Sequence, residues 1–226
     1  MRTAVLLSGG LDSAVLLAEE AAHNMQPVQP IYVSFGLAWE AAERATADKL
    51  LAASPLAGHT SPLVSLAVDM RDVYRPTHWA VRGTPPAYNT RDEEVYLPGR
   101  NVILLGKAGV YCAAAGIERL VLGTLAHNPF PDATPAFLTA MARALSLGLD
   151  HDMQVEAPLA ARSKAEVVRR GGDLGVPLEL TLSCMSPVRE GLHCGTCSKC
   201  RERHDGFVEA GDIDPTIYAE RRFVDA

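Results

Sequence analysis

The chain has 226 residues, of which 48% are hydrophobic and 21% are charged, so it is long enough to bury the core of one sizeable globular domain. Its 21 basic and 27 acidic residues give a net charge of −6, which favours a small-molecule partner over nucleic acid, because nucleic-acid binding usually needs a basic face. No apolar stretch approaches the ~18 residues that a membrane span needs, and a strand begins directly after Arg2, unlike in a signal peptide. We therefore expect a cytoplasmic protein that has no membrane segment and does not bind nucleic acid directly.

The first elements along the chain are a strand, a glycine-rich turn and a helix. The apolar run 4–7 predicts a short buried strand, and residues 14–20 predict the beginning of a helix. The turn between them reads Ser-Gly-Gly-Leu-Asp-Ser, and its two glycines let the backbone approach an anion that the first helical N–H groups can bind. Asp12 would repel a bare phosphate, so we expect it to cap the helix, to bind Mg²⁺, or to do both.

This turn resembles the PP-loop of the ATP pyrophosphatase superfamily, whose members cleave ATP between the α- and β-phosphates. Two other phosphate loops are excluded, because the chain contains no G-x-x-x-x-G-K-[ST] and no G-x-G-x-x-G follows the first strand. The expected ATP-binding residues of the turn are Ser8, Gly9, Gly10, Leu11, Asp12 and Ser13.

Strands and helices alternate along the rest of the chain. We predict further strands at residues 28–35, 63–68, 119–122 and 154–157, and helices at residues 39–53, 101–115, 136–147 and 163–170. Residues 69–97 are rich in proline, arginine and aromatic residues and show no regular periodicity. Irregular segments of this length within a compact domain usually have a function. The alternation predicts an α/β fold with a Rossmann-like parallel sheet flanked by helices, whose ligands collect at the carboxyl ends of the strands.

This topology draws attention to five residues near strand ends and helix entrances. Arg100 and Asn101 lie at the beginning of a predicted helix, and Gly123 and Thr124 follow a predicted strand at its carboxyl end. Asp132 lies just before another helix, where it would either cap that helix or bind a ligand.

Four of the five cysteines form a C-x9-C-x2-C-x2-C pattern near the end of the chain. Closely spaced thiolates can surround one ion, and four of them complete a tetrahedron, so we expect a structural Zn²⁺ bound by Cys184, Cys194, Cys197 and Cys200. The competing interpretation is that these cysteines bind an iron–sulfur cluster. The fifth, Cys112, lies in an apolar helical context and is expected in the core.

We divide the chain into an ATP-binding α/β domain, residues 1–180, and a zinc-binding segment with a helix, residues 181–226.

Taken together, these segments resemble the 7-cyano-7-deazaguanine synthase family, also called QueC or ExsB. The resemblance runs nearly from end to end and combines several motifs. The matching residues are 8–13, 97–101, 131–132, Phe137, 163–168, 174–177, 183–184, the cysteine cluster, Arg203, 206–207, 210–211 and 214–215.

The resemblance implies an ATP-dependent carbon–nitrogen ligase of queuosine biosynthesis. Members of the family convert 7-carboxy-7-deazaguanine and ammonia to the nitrile, 7-cyano-7-deazaguanine, through an acyl-adenylate and an amide. A carboxylate is a poor electrophile at neutral pH, so activation by ATP fits this chemistry. The oligomeric state stays open, with a homodimer among the options.

The resemblance also implies roles for individual residues. Asp12 acts at the phosphates with Mg²⁺, while Lys164 and Arg100 balance the negative charge of leaving pyrophosphate. The remaining ATP-binding positions are Val33, Ser34, Phe35, Gly123 and Thr124, the first three beside adenine. The substrate-binding positions are Asn101 and Asp132, whose carboxylate would bind the amidine edge of the deazaguanine.

The chain departs from the family in two places. The family usually carries Asp-Tyr-Gly-Gln-Arg-His where residues 34–39 read Ser-Phe-Gly-Leu-Ala-Trp, and residues 133, 134 and 136 lack the usual Cys, Arg and Glu. One alternative is therefore a related enzyme that adenylates another carboxylate or stops at the amide. A further alternative is a zinc-containing tRNA-modifying or nucleic-acid-binding protein.

Overall fold

Five parallel strands form the centre of the protein, which a computed structural model describes over residues 1–222, apart from the side chain of Glu190. The strands are β1 (Thr3–Leu6), β2 (Gln29–Ser34), β3 (Val64–Ala67), β4 (Arg119–Val121) and β5 (Gln154–Glu156). Their order in the sheet is β3-β2-β1-β4-β5, so β1 is central and β5 lies at an edge. The predicted strands and the parallel sheet are confirmed.

Seven α-helices surround this sheet in the described part of the chain. They are α1 (Leu11–His23), α2 (Glu40–Ala52), α3 (Trp79–Arg82), α4 (Arg100–Ala115), α5 (Pro135–Leu149), α6 (Lys164–Asp173) and α7 (Ser198–Ala210). Short 3₁₀ turns occur at Asp92–Val95, Pro131–Ala133, Leu178–Leu180 and Arg189–Gly191. No helix within residues 1–222 is long and apolar enough to cross a membrane.

The alternation of side chains along β1 divides the core into two layers. Ala4 and Leu6 belong to the layer that contains Leu105 of α4 and Leu145 of α5. Val5 points to the other layer, which is filled from α1, α2, α6 and α7. Because both faces of the sheet are covered at its centre, the four residues of β1 are all buried, whereas residues of the outer strands β3 and β5 are partly exposed.

Parallel pairing brings the carboxyl ends of the strands to one edge of the sheet. Leu6 of β1 pairs with Ile31 of β2, and Val5 pairs with Val121 of β4. The loops that follow these three strands therefore begin side by side, with the turn after β1 in the middle. This edge is where the candidate site lies.

A buried arginine connects α7 with the chain segments on either side of it. The guanidinium of Arg203 is 1% exposed and donates to the hydroxyl groups of Thr216, Thr181 and Ser183 at 2.5, 2.7 and 3.3 Å, and to the carbonyl of Leu178 at 2.7 Å. Burial lowers the pKa of Arg203, although Asp214 opposes that effect. With so many hydrogen bonds, this charge holds the segment after residue 180 against the α/β layer.

Replacing Arg203 by methionine should lower the free energy of unfolding by about 3 kcal/mol or more, because four acceptors lose their buried donor. Urea denaturation followed by circular dichroism measures this loss. The exposed Arg44 on α2 provides the control, and Arg44→Met should change stability by less than about 0.5 kcal/mol. Equal effects of the two substitutions would contradict the structural role of Arg203.

Candidate active site

The turn between β1 and α1 is built to leave backbone N–H groups available to a ligand. Gly10 precedes α1, and no side chain caps this helix, so Asp12 does not fill the capping role considered for it. Within the turn, the Ser13 hydroxyl donates to the Gly10 carbonyl at 3.0 Å, and the Gly10 N–H donates to the Ser8 hydroxyl at 3.2 Å. Uncapped N–H groups at a helix N-terminus are suited to bind phosphate.

Residue 9 must be glycine for two reasons: its backbone is left-handed, and there is no room for a side chain. Its φ angle is +79°, in the left-handed region, and a Cβ atom there would lie 2.8 Å from the carbonyl oxygen of Glu43. The turn therefore packs directly against the first part of α2.

Three adjoining cavities open at this edge of the sheet and share Asp12 and Arg100. The first, of about 190 Å³, lies under the turn, and its wall includes Ser8, Gly10, Asp12, Ser13, Val33, Arg100, Asn101, Gly123 and Thr124. The second lies over α4 and adds Asp132 and Lys164. The third faces the cysteine segment and adds Leu11, Trp39 and Trp79. Most of the residues expected to bind ATP or substrate thus lie together.

Gly9, Ser34 and Phe35 do not line any of these three cavities. The polar groups of residues 34 and 35 are engaged by Glu40, whose carboxylate accepts from the Ser34 hydroxyl and the Phe35 N–H at 2.6 Å each. Of the three residues expected beside adenine, residues 33–35, Val33 lines the first cavity.

A chain of ion pairs crosses the site from the turn to α7. The Nζ atom of Lys164 lies 2.8 and 2.7 Å from the two carboxylate oxygens of Asp12, and 3.0 Å from an oxygen of Glu202. Glu202 also binds Lys199. Burial would lower the pKa of Lys164, but the two carboxylates outweigh it and hold that pKa above its usual value. Lys164 is therefore a fixed positive charge beside the turn.

Arg100 and Asn101 line both of the first two cavities, and Asp132 lines the second. A carboxylate oxygen of Asp132 accepts from the Asn101 N–H at 3.1 Å, and the Asn101 amide donates to the Asp132 carbonyl at 3.0 Å. Asp132 thus binds the beginning of α4, while Thr134 caps α5 through the Phe137 N–H. Burial raises the pKa of Asp132. The Nε atom of Arg100 is buried without a hydrogen-bond partner among the described residues.

Sequence reasoning did not single out two residues of the site, Glu202 on α7 and Glu43 on α2, because both look like ordinary charges of amphipathic helices. The Trp39 ring stacks on that of Trp79, with centroids 5.7 Å apart and an interplanar angle of 12°, in the wall of the third cavity. Only proximity to the cysteine pattern could have indicated Glu202.

The four predicted cysteine ligands are brought together. The Sγ atoms of Cys184, Cys194, Cys197 and Cys200 all lie within 4.8 Å of one another, and all four residues are buried. Backbone N–H groups of residues 186, 194, 195 and 196 donate to these sulfur atoms at 3.3 to 3.4 Å. Such bonds stabilise thiolates, so the donor set fits a metal ion. Cys112 lies apart in the core, where burial raises its pKa to about 12.

Cys197→Ser should lose the bound metal and lower the thermal stability together, because an incomplete thiolate set cannot hold the ion that orders this segment. Metal analysis by plasma mass spectrometry and a thermal unfolding scan measure the two effects. Cys112→Ala is the matched control and should keep its metal. A Cys197→Ser protein with full metal content would contradict the assignment of the ligands.

Comparison with known proteins shows which family the chain belongs to. The family model described as "Queuosine biosynthesis protein QueC" matches residues 2–211. Two relatives, from Anaeromyxobacter dehalogenans and Dechloromonas aromatica, are both named 7-cyano-7-deazaguanine synthase. They are 38% and 34% identical to this chain, over 97% and 96% of its length and 96% and 98% of their own.

Among solved structures, the U34-tRNA thiolase NcsA from Methanococcus maripaludis, which contains a [4Fe-4S] cluster, shares the fold. The TM-score is 0.50 at 15% sequence identity, over 95% of this chain and 74% of that protein. At this identity the likeness concerns the fold alone. The match of the family model over residues 2–211, together with the two full-length relatives, shows that the chain belongs to the QueC family of queuosine biosynthesis proteins.

Proposed function

We propose that this chain is an ATP-dependent ligase that converts 7-carboxy-7-deazaguanine and ammonia to 7-cyano-7-deazaguanine. The observation that carries the proposal is the arrangement around Asp12 and Arg100, where a phosphate-binding turn and a carboxylate-lined cavity open into each other. An enzyme that adenylates an acid needs this adjacency, because the acid must reach the α-phosphate of the nucleotide. The shared name of the relatives supports the identity of the acid.

In this proposal the first cavity holds ATP. The N–H groups of the turn bind the phosphates, Ser8 and Ser13 add hydroxyl donors, and adenine lies toward Val33. Asp12 is the carboxylate that would hold Mg²⁺, and that ion supplies charge neutralisation at the phosphates. Arg100 lines both this cavity and the second, and Lys164 lines the second beside Asp12, so that both positive charges can stabilise the charge that develops on leaving pyrophosphate.

The second cavity then holds the acid. The Asp132 carboxylate has lone pairs left after it accepts from Asn101, and it offers them to a donor-rich amidine edge. Tyr96 and Phe130, whose ring centroids lie 5.0 Å apart at an interplanar angle of 25°, line this cavity and give a planar heterocycle a surface on which to stack.

The cysteine centre has a structural role in this proposal. Four buried thiolates close the coordination sphere of a Zn²⁺ ion and leave no open position for catalysis. We retain the division into an ATP-binding domain, residues 1–180, and a zinc-binding segment, residues 181–226. We also predict a cytoplasmic location, and a homodimer is one option for the oligomeric state.

Incubation of the purified protein with ATP, Mg²⁺, ammonium and 7-carboxy-7-deazaguanine, followed by mass spectrometry, tests the function. We expect the nitrile, AMP and pyrophosphate. Amide as the final product would place the enzyme in a group that stops after the first activation. If ATP binds and no product forms, the altered residues 34–39 and 133–136 select another acid, and the proposed substrate is wrong.

Asp12→Ala should lower acid-dependent exchange of pyrophosphate into ATP by about 100-fold or more, because the metal-binding carboxylate and the partner of Lys164 are lost together. The fold and the metal content should stay unchanged. Asp173→Ala, an exposed aspartate at the end of α6, is the matched control and should exchange at the wild-type rate. Full activity of Asp12→Ala would contradict the PP-loop role.

A further inference from the structure

The Glu43 carboxyl group has no role in the function proposed above, although it borders the ATP cavity. It lies in the walls of both the first and the third cavity, where the phosphate-binding turn meets the stacked Trp39 and Trp79. Its backbone carbonyl packs against Gly9, so the side chain is anchored directly beside the turn. A group at this junction can reach a reactant that enters between the nucleotide and the cysteine segment.

Glu43 is held by neutral donors and has no compensating cation in contact. One carboxylate oxygen accepts from the Tyr32 hydroxyl at 3.0 Å, and the other accepts from the Trp39 indole N–H at 3.1 Å. Among the ion pairs within residues 1–222, none involves Glu43. A half-buried carboxylate without a cation favours a small cation or a proton as its partner.

The third cavity combines aromatic and charged groups around Glu43. Trp39 and Trp79 line it, and a tryptophan ring attracts ammonium-type cations. The charged side chains that line the same cavity are Asp12, Glu202, Arg100, Lys164, Lys199 and Arg203. Of the groups that act on the Glu43 carboxyl, Tyr32 lies on β2, Glu40 on its own helix and Arg100 on α4. Burial raises the pKa of Glu43 to about 7, with Arg100 opposing the shift. A carboxyl with such a pKa exchanges protons readily at neutral pH.

We propose that Glu43 binds ammonium in the third cavity and removes a proton from it, so that ammonia attacks the acyl-adenylate. This role deepens the proposed function and rests on it. The carboxylate takes one proton from NH₄⁺, and the nitrogen lone pair forms the C–N bond. The acyl–oxygen bond to AMP breaks, and AMP leaves with that electron pair. The proton on Glu43 and a second proton from the new amide nitrogen pass to solvent.

The test separates activation of the acid from attack by nitrogen. Acid-dependent exchange of pyrophosphate into ATP reports activation without ammonia. Product formation is then measured with ammonium, which must lose a proton, and with hydroxylamine, which is uncharged at neutral pH and gives a hydroxamate. Glu43→Gln should lower ammonium-dependent amide formation by about 100-fold or more. Its pyrophosphate exchange and hydroxamate formation should stay close to those of wild type.

Glu43→Asp, which keeps the carboxyl group, should restore part of the ammonium-dependent rate. Asp48→Asn, at an exposed position on the same helix, is the matched control for the loss of a charge and should behave as wild type. The ratio of the ammonium-dependent rates of wild type and Glu43→Gln should fall below pH 7, where Glu43 is protonated. It should also shrink at high pH, where free ammonia is abundant.

Three results would overturn this role. Equal ammonium-dependent rates in wild type and Glu43→Gln would show that the carboxyl does not act on ammonium. A matching loss of pyrophosphate exchange would assign Glu43 to ATP or its metal ion, and a matching loss of hydroxamate formation would assign it to the architecture of the site. Absence of acid-dependent exchange in wild type would instead refute the proposed function, and the role of Glu43 with it.

Discussion

The ammonium group of Lys164 is the point on which the arrangement of the site depends. It is 14% exposed and bonds to Asp12 on α1 and Glu202 on α7, so one charge connects three helices. Its aliphatic stem lies against α7 at Gly206, where a Cβ atom would come within 2.2 Å of the Lys164 Cγ atom. Glycine at that position lets α6 and α7 approach closely enough for the charge to reach the phosphate-binding turn.

This interaction also sets the electrostatic state of the site. The two negative charges of Asp12 and Glu202 are balanced by the two positive charges of Lys164 and Lys199. An incoming nucleotide adds negative charge. The fixed charge of Lys164 and the guanidinium of Arg100, whose Nε atom has no hydrogen-bond partner within residues 1–222, can meet that charge. Such preorganised charge stabilises a transition state more than mobile charge does.

Local patterns in the sequence were sufficient for the fold and for the clustering of the cysteines. The strand, turn and helix around Gly9 and Gly10 follow from a few adjacent residues, and the alternation of elements indicated the parallel sheet. Contacts between distant segments were not accessible in this way. Asp132 precedes α5 in the sequence, yet it binds the beginning of α4, and Thr134 caps α5 instead.

The same limit explains why Glu43 and Glu202 were missed. A glutamate on an amphipathic helix is usually solvated, and only packing against another element gives it a partner or removes its water. For Glu43 that element is the turn at Gly9, and for Glu202 it is Lys164. Lys164 itself was assigned a role only through the family resemblance, because its partner Asp12 is distant in the sequence.

The position of the four cysteines would connect a bound metal ion with the candidate active site. Cys197 precedes α7 and Cys200 lies in its first turn, so a metal ion bound there fixes where this helix begins. Glu202 follows within the same helix and bonds to Lys164, which also bonds to Asp12. Loss of the metal would free the beginning of α7 and, through Glu202, loosen the charge beside the phosphates. A metal ion held by the cysteines would thus act on the geometry of the site through α7 and Glu202.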